Sequence, residues 1–137
     1  MTYSVSAALQ SAIYQRLTAD AALVALVGSD IYDALPAGPL PALYVVLGAE
    51  DVRDASDKTG GGAWHQLVIT VVTQSAGFAS AKAAAAAVCD ALVDAPMALE
   101  RGSLVSLNFY KAKAARVGTG AVRQINLNFR ARVADDT

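Results

Sequence analysis

Only one cysteine, Cys89, and one histidine, His65, occur among the 137 residues. A lone cysteine closes no intrachain disulfide and supplies no cysteine-based metal framework. Its neighbours Ala85, Val88 and Leu92 suit a buried thiol. A lone histidine confines any Ser-His-Asp or Cys-His constellation to His65, and no G-x-S-x-G motif accompanies it. Beside Trp64 and the Gly60-Gly61-Gly62 run, His65 reads as a partly exposed residue at a strand start. Charge is sparse as well, 17% of the chain against 55% apolar residues. That balance excludes the low-hydropathy, highly charged composition of disordered chains. Long apolar runs are also missing. The longest, Ala83 to Cys89, is bracketed by Lys82 and Asp90 and falls far short of the roughly 18 residues of a membrane helix. Met1-Thr2-Tyr3-Ser4 lacks a positive segment leading into an apolar one, so no secretory signal is expected and synthesis in a reducing cytoplasm fits.

What the chain has in abundance is alanine, 30 residues of it, so the apolar excess is largely small side chains. The length suits one domain spanning 1–137. A net charge of −1 conceals a sorting of charge along the chain. Residues 1–100 hold ten carboxylates and four cations. Residues 101–137 hold two carboxylates and seven cations: Arg101, Lys111, Lys113, Arg116, Arg123, Arg130 and Arg132. Such a split suggests complementary surfaces on one molecule or an anionic partner.

Val5, Ala8, Leu9, Ala12, Ile13 and Leu17 recur at helical spacing, predicting a helix over about 5–18 with Ser4 or Ser6 as its cap. A second, Ala21 to Val27, begins after Asp20 and stops at Gly28. Pro36, Pro39 and Pro41 define a loop. Leu43 to Leu47 and Leu67 to Thr73 read as strands, the latter apolar on both faces and therefore central. The polar stretch 49–63 between them, with three consecutive glycines, reads as a long mobile loop with low protection from hydrogen exchange. The Ala-rich segment of about 78–94 is a strong helix, with Ser75 a possible cap and Pro96 beyond its end. The last third alternates as a hairpin. Val105, Leu107 and Phe109 share a face, as do Ile125, Leu127, Phe129, Ala131 and Val133. Ser106, Asn108 and Tyr110 oppose the first set; Gln124, Asn126, Asn128, Arg130 and Arg132 oppose the second; Val117-Gly118-Thr119-Gly120 holds the turn. The expected fold is α+β, an antiparallel sheet of about four strands with two main helices on one face.

Lys58-Thr59-Gly60 lacks the order of a phosphate-binding loop, because the glycines follow the lysine and lead into a strand. Asp51, Asp54 and Asp57 are spaced by three, unlike the alternating carboxylates of a calcium loop. No cofactor or resident metal is expected. The basic hairpin of Lys111, Lys113, Arg116 and Arg123, with Arg130 and Arg132 further along, is open to three readings: a solvated face, a protein interface or a phosphate-binding patch. No aromatic residues interleave with its charges as a stacking platform requires.

Ser6-Ala7-Ala8-Leu9-Gln10, Tyr14-Gln15-Arg16-Leu17, Asp20-Ala21-Ala22-Leu23, Val27-Gly28 and Ile31-Tyr32-Asp33 follow one another at set spacing. The proline loop before Tyr44-Val45, then Asp54-Ala55-Ser56-Asp57-Lys58-Thr59-Gly60, then the helix after Gly77-Phe78 continue the series. In this order the chain resembles the small tail-completion, or tail-terminator, proteins of siphophages and of the gene transfer agents of α-proteobacteria. The resemblance implies a virion protein without catalytic chemistry. It would form a ring, typically hexameric, that caps the head-proximal end of a tail tube and meets the head-side connector or stopper; the alternative in the same machinery is another neck protein, a stopper or adaptor. DNA would be only passing cargo in the lumen, and no membrane partner is implied. A ring of this kind uses two different patches. The expected pair is an acidic loop (Glu50, Asp51, Asp54 and Asp57, with Arg53 and Lys58) facing the basic hairpin of a neighbour or tube partner.

Overall fold

The computed structural model describes residues 3–56, 60–75, 77–118 and 122–135. In chain order they form α1 (Ser6–Ala19), α2 (Ala21–Val27), β1 (Ile31–Tyr32), β2 (Leu43–Asp54), β3 (Gly61–Thr73), α3 (Ala79–Leu92), β4 (Ser103–Arg116) and β5 (Arg123–Asp135). The strands make one sheet in the order β1-β2-β3-β5-β4. Among the described residues the three helices are the two main ones and the short one expected, while five strands replace the expected four. The sheet is mixed, because the two-residue β1 runs parallel to β2 while the other pairs are antiparallel. Two residues carry too little pattern to be recognised as a strand.

Period-2 alternation sorts the two faces of the sheet. Val45, Ile69, Val71, Ile125, Leu127, Phe129, Ala131 and Val133 are buried in one core with Leu9, Ile13 and Leu17 of α1, Leu23 of α2 and Val88 and Leu92 of α3. The buried side of α3 is mostly methyl groups: Ala81, Ala84, Ala85, Ala87 and Ala91. Small side chains let the helix axis approach the sheet closely, at the cost of any room for growth. Arg16 of α1 donates through Nε to the Ala91 carbonyl at 3.0 Å, satisfying an otherwise orphan group in the last turn of α3.

Caps were only partly legible. Asp20 accepts from the Leu23 amide at 3.0 Å, and Gly28 closes α2 with φ of 61°. The other two helices use no side-chain cap: Val5 stands at the cap of α1 and Phe78 at that of α3, in place of Ser4, Ser6 or Ser75.

The supposed loop at 49–63 is largely strand. Pairing continues from Glu50↔Leu67 to Asp54↔Ala63, so β2 and β3 form a long hairpin. A register shift between Leu47 and Glu50 turns Glu50 inward and Asp51 and Arg53 outward. Gly62 is there for packing: a Cβ would lie 3.1 Å from Arg132 Nη2 and 3.2 Å from the Ala55 carbonyl. Asp57, Lys58 and, in the expected turn, Thr119 and Gly120 lie outside the described residues. Two further shifts, between Leu104 and Ser106 and between Phe109 and Lys111, break the expected alternation of β4. Leu104 takes the inward position opposite Val133, and Val105 is 63% exposed.

Amides of 51–54 and 61–63 should exchange with solvent slowly, as ladder amides do, when followed by mass spectrometry. Ala84→Leu should destabilise the fold by about 1–3 kcal/mol, read as a lowered denaturation midpoint, since the site has no space for three more carbons.

Candidate interaction surface

The sheet face turned away from the helices carries most of the cations singled out above. Each cross-strand row on it is set by register. Arg53, Trp64, Arg132 and Ser106 form one row; Asp51, Gln66, Arg130 and Asn108 the next. Val68, Asn128 and Lys111 follow, then Thr70, Asn126 and Lys113. In these four rows of described residues five cations meet one carboxylate, Asp51, which lies 3.8 Å from Arg53.

Two aromatic rings sit among these charges. The Arg130 guanidinium lies 3.9 Å from the centre of the Tyr110 ring, with the Lys111 ammonium 5.8 Å from it. Arg132 lies 5.4 Å from the Trp64 ring. Tyr110 is 48% and Trp64 38% exposed, so each guanidinium is held over a ring that still meets solvent. This corrects the reading that no aromatic interleaves with the charges. Tyr110 falls in the β4 register shift, and Trp64 comes from β3, far from the basic segment in sequence. Thr70 Oγ1 donates to Asn126 Oδ1 at 2.8 Å and fixes the polar middle of the face.

Not every expected cation joins this surface. Arg116 and Arg123 pair across the ladder on the helix side. There Arg123 donates to the Ser75 carbonyl at 3.0 Å and lies 5.6 Å from the Phe78 ring. Arg132 also donates to the Ala55 carbonyl at 2.8 Å, bracing the end of the β2–β3 hairpin.

Among the described residues the expected acidic set is divided. Asp51 points out with the cations, and Asp54 accepts from the Ser56 hydroxyl at 2.6 Å. Glu50 is internal: Tyr3 and Ser6 hydroxyls donate to its Oε1, and His65 Nδ1 stands 3.5 Å from Oε2. His65 is wholly buried in mid-strand rather than exposed at a strand end, and among the described residues its Nε2 has no hydrogen-bond partner. Ser6 contacts the carboxylate and not the imidazole, so the cluster is an anchor between α1 and the sheet, without the base-to-nucleophile bond of a hydrolase. The adjoining cavity, about 210 Å³, is smaller than the roughly 300–1,000 Å³ of small-molecule sites. Cys89 is half-buried, and burial followed by the charge of Asp90 pushes its thiol up. Among the described residues no group of three His, Cys, Asp or Glu could hold a metal ion, and no helix is long and apolar enough to cross a membrane.

The outer sheet face thus exposes arginine, tyrosine and tryptophan side chains, residue types enriched at macromolecular interfaces. The chain belongs to the tail completion protein gp17 family, which it matches over residues 11–134. Its structure superposes with a TM-score of 0.93 on a chain of the virion of a native gene transfer agent particle. The two are 62% identical, and the alignment covers 97% of this chain and 99% of that one. No curated protein sequence matches it.

Burial pushes the Glu50 carboxyl up, but the bonds from Ser6, Tyr3 and His65 outweigh it and leave it below its ordinary value of 4.5. Its contribution to stability is therefore complete above about pH 4.5 and lost as pH falls through the lower folded value. Glu50→Gln should cost about 1–3 kcal/mol at neutral pH and reduce the steepness of acid unfolding, measured by chemical denaturation across pH 3–7.

Proposed function

We propose that this chain is a tail terminator: a structural virion protein that forms a ring of six on the head-proximal end of a tail tube. The ring stops tube polymerisation and presents a surface to the head-side connector or stopper. The observation that carries this reading is the near-full-length, 62% identity to a chain of a gene transfer agent virion. The outer sheet face supports it, because Lys111, Lys113 and Arg130, with the Tyr110 anchor, suit an acidic protein surface on a tube or ring partner. The partner's carboxylates must come from elsewhere than Glu50, which is spent inside its own chain.

Purified protein mixed with tail-tube protein should yield tubes capped at one end and limited in length by electron microscopy. The variant Lys111→Glu/Lys113→Glu/Arg130→Glu should lose at least about tenfold in capping, since like charges facing across an interface cost several kcal/mol. Its folding should be retained, at a cost of about 1–2 kcal/mol from the lost Arg130–Tyr110 contact and three surface changes, checked by denaturation beside the capping assay. Normal capping by this variant would exclude the sheet face as the contact. Duplex DNA binding that collapses steeply with salt and with the same substitutions would instead assign the face to nucleic acid.

A further inference from the structure

The hairpin of β4 and β5 overruns the helix layer, leaving an apolar groove of about 310 Å³ along α3. Ala86 and Cys89 of α3, Phe109, Ala112 and Ala114 of β4 and Leu127 of β5 line it. Phe109 rests edge-on against Phe129, 6.1 Å between ring centres, and yet is 47% exposed. The end of the groove nearest the hairpin tip is cationic. Lys82 lines it, and the Arg116–Arg123 pair stands on the same face of the sheet beyond it. Asp90, beside Cys89, is the carboxylate nearest the other end on α3.

The opposite edge of the sheet has the complementary chemistry. From Leu17 to Val52 the chain contains no lysine or arginine, and Asp30 and Asp33 flank the edge strand β1. Leu35, just beyond it, is 50% exposed, and Leu26 of α2 is also exposed. Pro36, Pro39 and Pro41 restrict the loop that carries Leu35, which lowers the entropy lost when it docks. A twofold contact made through the grooves alone would set Lys82 and Arg116 of one copy against those of the other. A head-to-tail arrangement instead sets unlike charges together and continues into a ring.

We infer that the groove receives the β1-side edge of a second copy of this chain, with Leu35 seated against Phe109 and Ala112 and Asp33 beside Lys82. This assignment rests on the ring reading above and names the two surfaces that close the ring. Two measurements test it. The first uses an equimolar mixture of ¹⁴N- and ¹⁵N-labelled protein, free at high concentration and on capped tubes, coupled with a zero-length carbodiimide. Mixed-isotope peptides should join Asp33 or Asp30 to Lys82. Mixed-isotope links from Lys82 only to other carboxylates, or none in either sample, would overturn the assignment. The second uses Asp33→Lys and Lys82→Glu/Arg116→Glu, both checked for unaltered thermal unfolding. Each alone should lose capping at least about tenfold, because like charges then meet. Their equimolar mixture should regain at least half of it, since each supplies the edge the other needs. Normal capping by either alone, or a mixture as inactive as its parts, also defeats the proposal. Failure of the parent protein to cap tubes would count against the terminator reading, while the coupling of free protein would still decide the groove's occupant.

Discussion

The pairing of β3 with β5 is the constraint on which the rest depends. It runs without a break through thirteen residue pairs, from Gly61↔Asp135 to Thr73↔Arg123. Because side chains alternate across a strand, one unbroken register decides thirteen positions on each strand at once. Ala63, Ile69 and Val71 go under the helices with Ile125, Leu127, Phe129, Ala131 and Val133. Trp64, Gln66 and Thr70 go outward with Arg132, Arg130 and Asn126. A slip of one residue would bury five polar or charged side chains of β5 and expose the core, so the register is heavily specified.

The outer strands follow this ladder, but with irregularities that matter for contact. The shift in β2 takes Glu50 out of the surface and gives it to Tyr3, Ser6 and His65. The shifts in β4 place Tyr110 beneath Arg130 and leave Phe109 on the helix side, next to the groove. The same chain thus presents a cationic, aromatic sheet face, an apolar groove at one edge and an acidic edge opposite. Chemically distinct surfaces of this kind are what the proposed ring and tube contacts require.

Much of this was readable from residue order. Asp20 and Gly28 bound α2 as their side chain and backbone freedom dictate, and the inward set of β5 is legible as strict alternation. The charged outward set of β5, Arg130 and Arg132 among it, was legible for the same reason. The segment 49–63 was not, because polar residues and glycines have low strand propensity. Residues 49–54 and 61–63 are strand nonetheless: Asp51 and Arg53 point to solvent, Gly62 admits a close backbone approach, and the β3–β5 ladder supplies the partner. His65 was misplaced for the related reason that the carboxylate it meets in the interior, Glu50, lies fifteen positions away.

By itself the sequence determined the secondary structure of its strongly periodic segments, the α+β class, the sorting of charge between its two ends and the family to which it belongs. These are local or compositional properties, written in spacing and residue type. Only the tertiary structure decided which charges share a surface. Local register shifts and long-range pairing, rather than proximity along the chain, put Glu50 inside, brought Trp64 to Arg132, and separated Arg116 and Arg123 from Lys111 and Lys113. A strand residue's face is set by its partner's register, and that register is a property of the folded sheet.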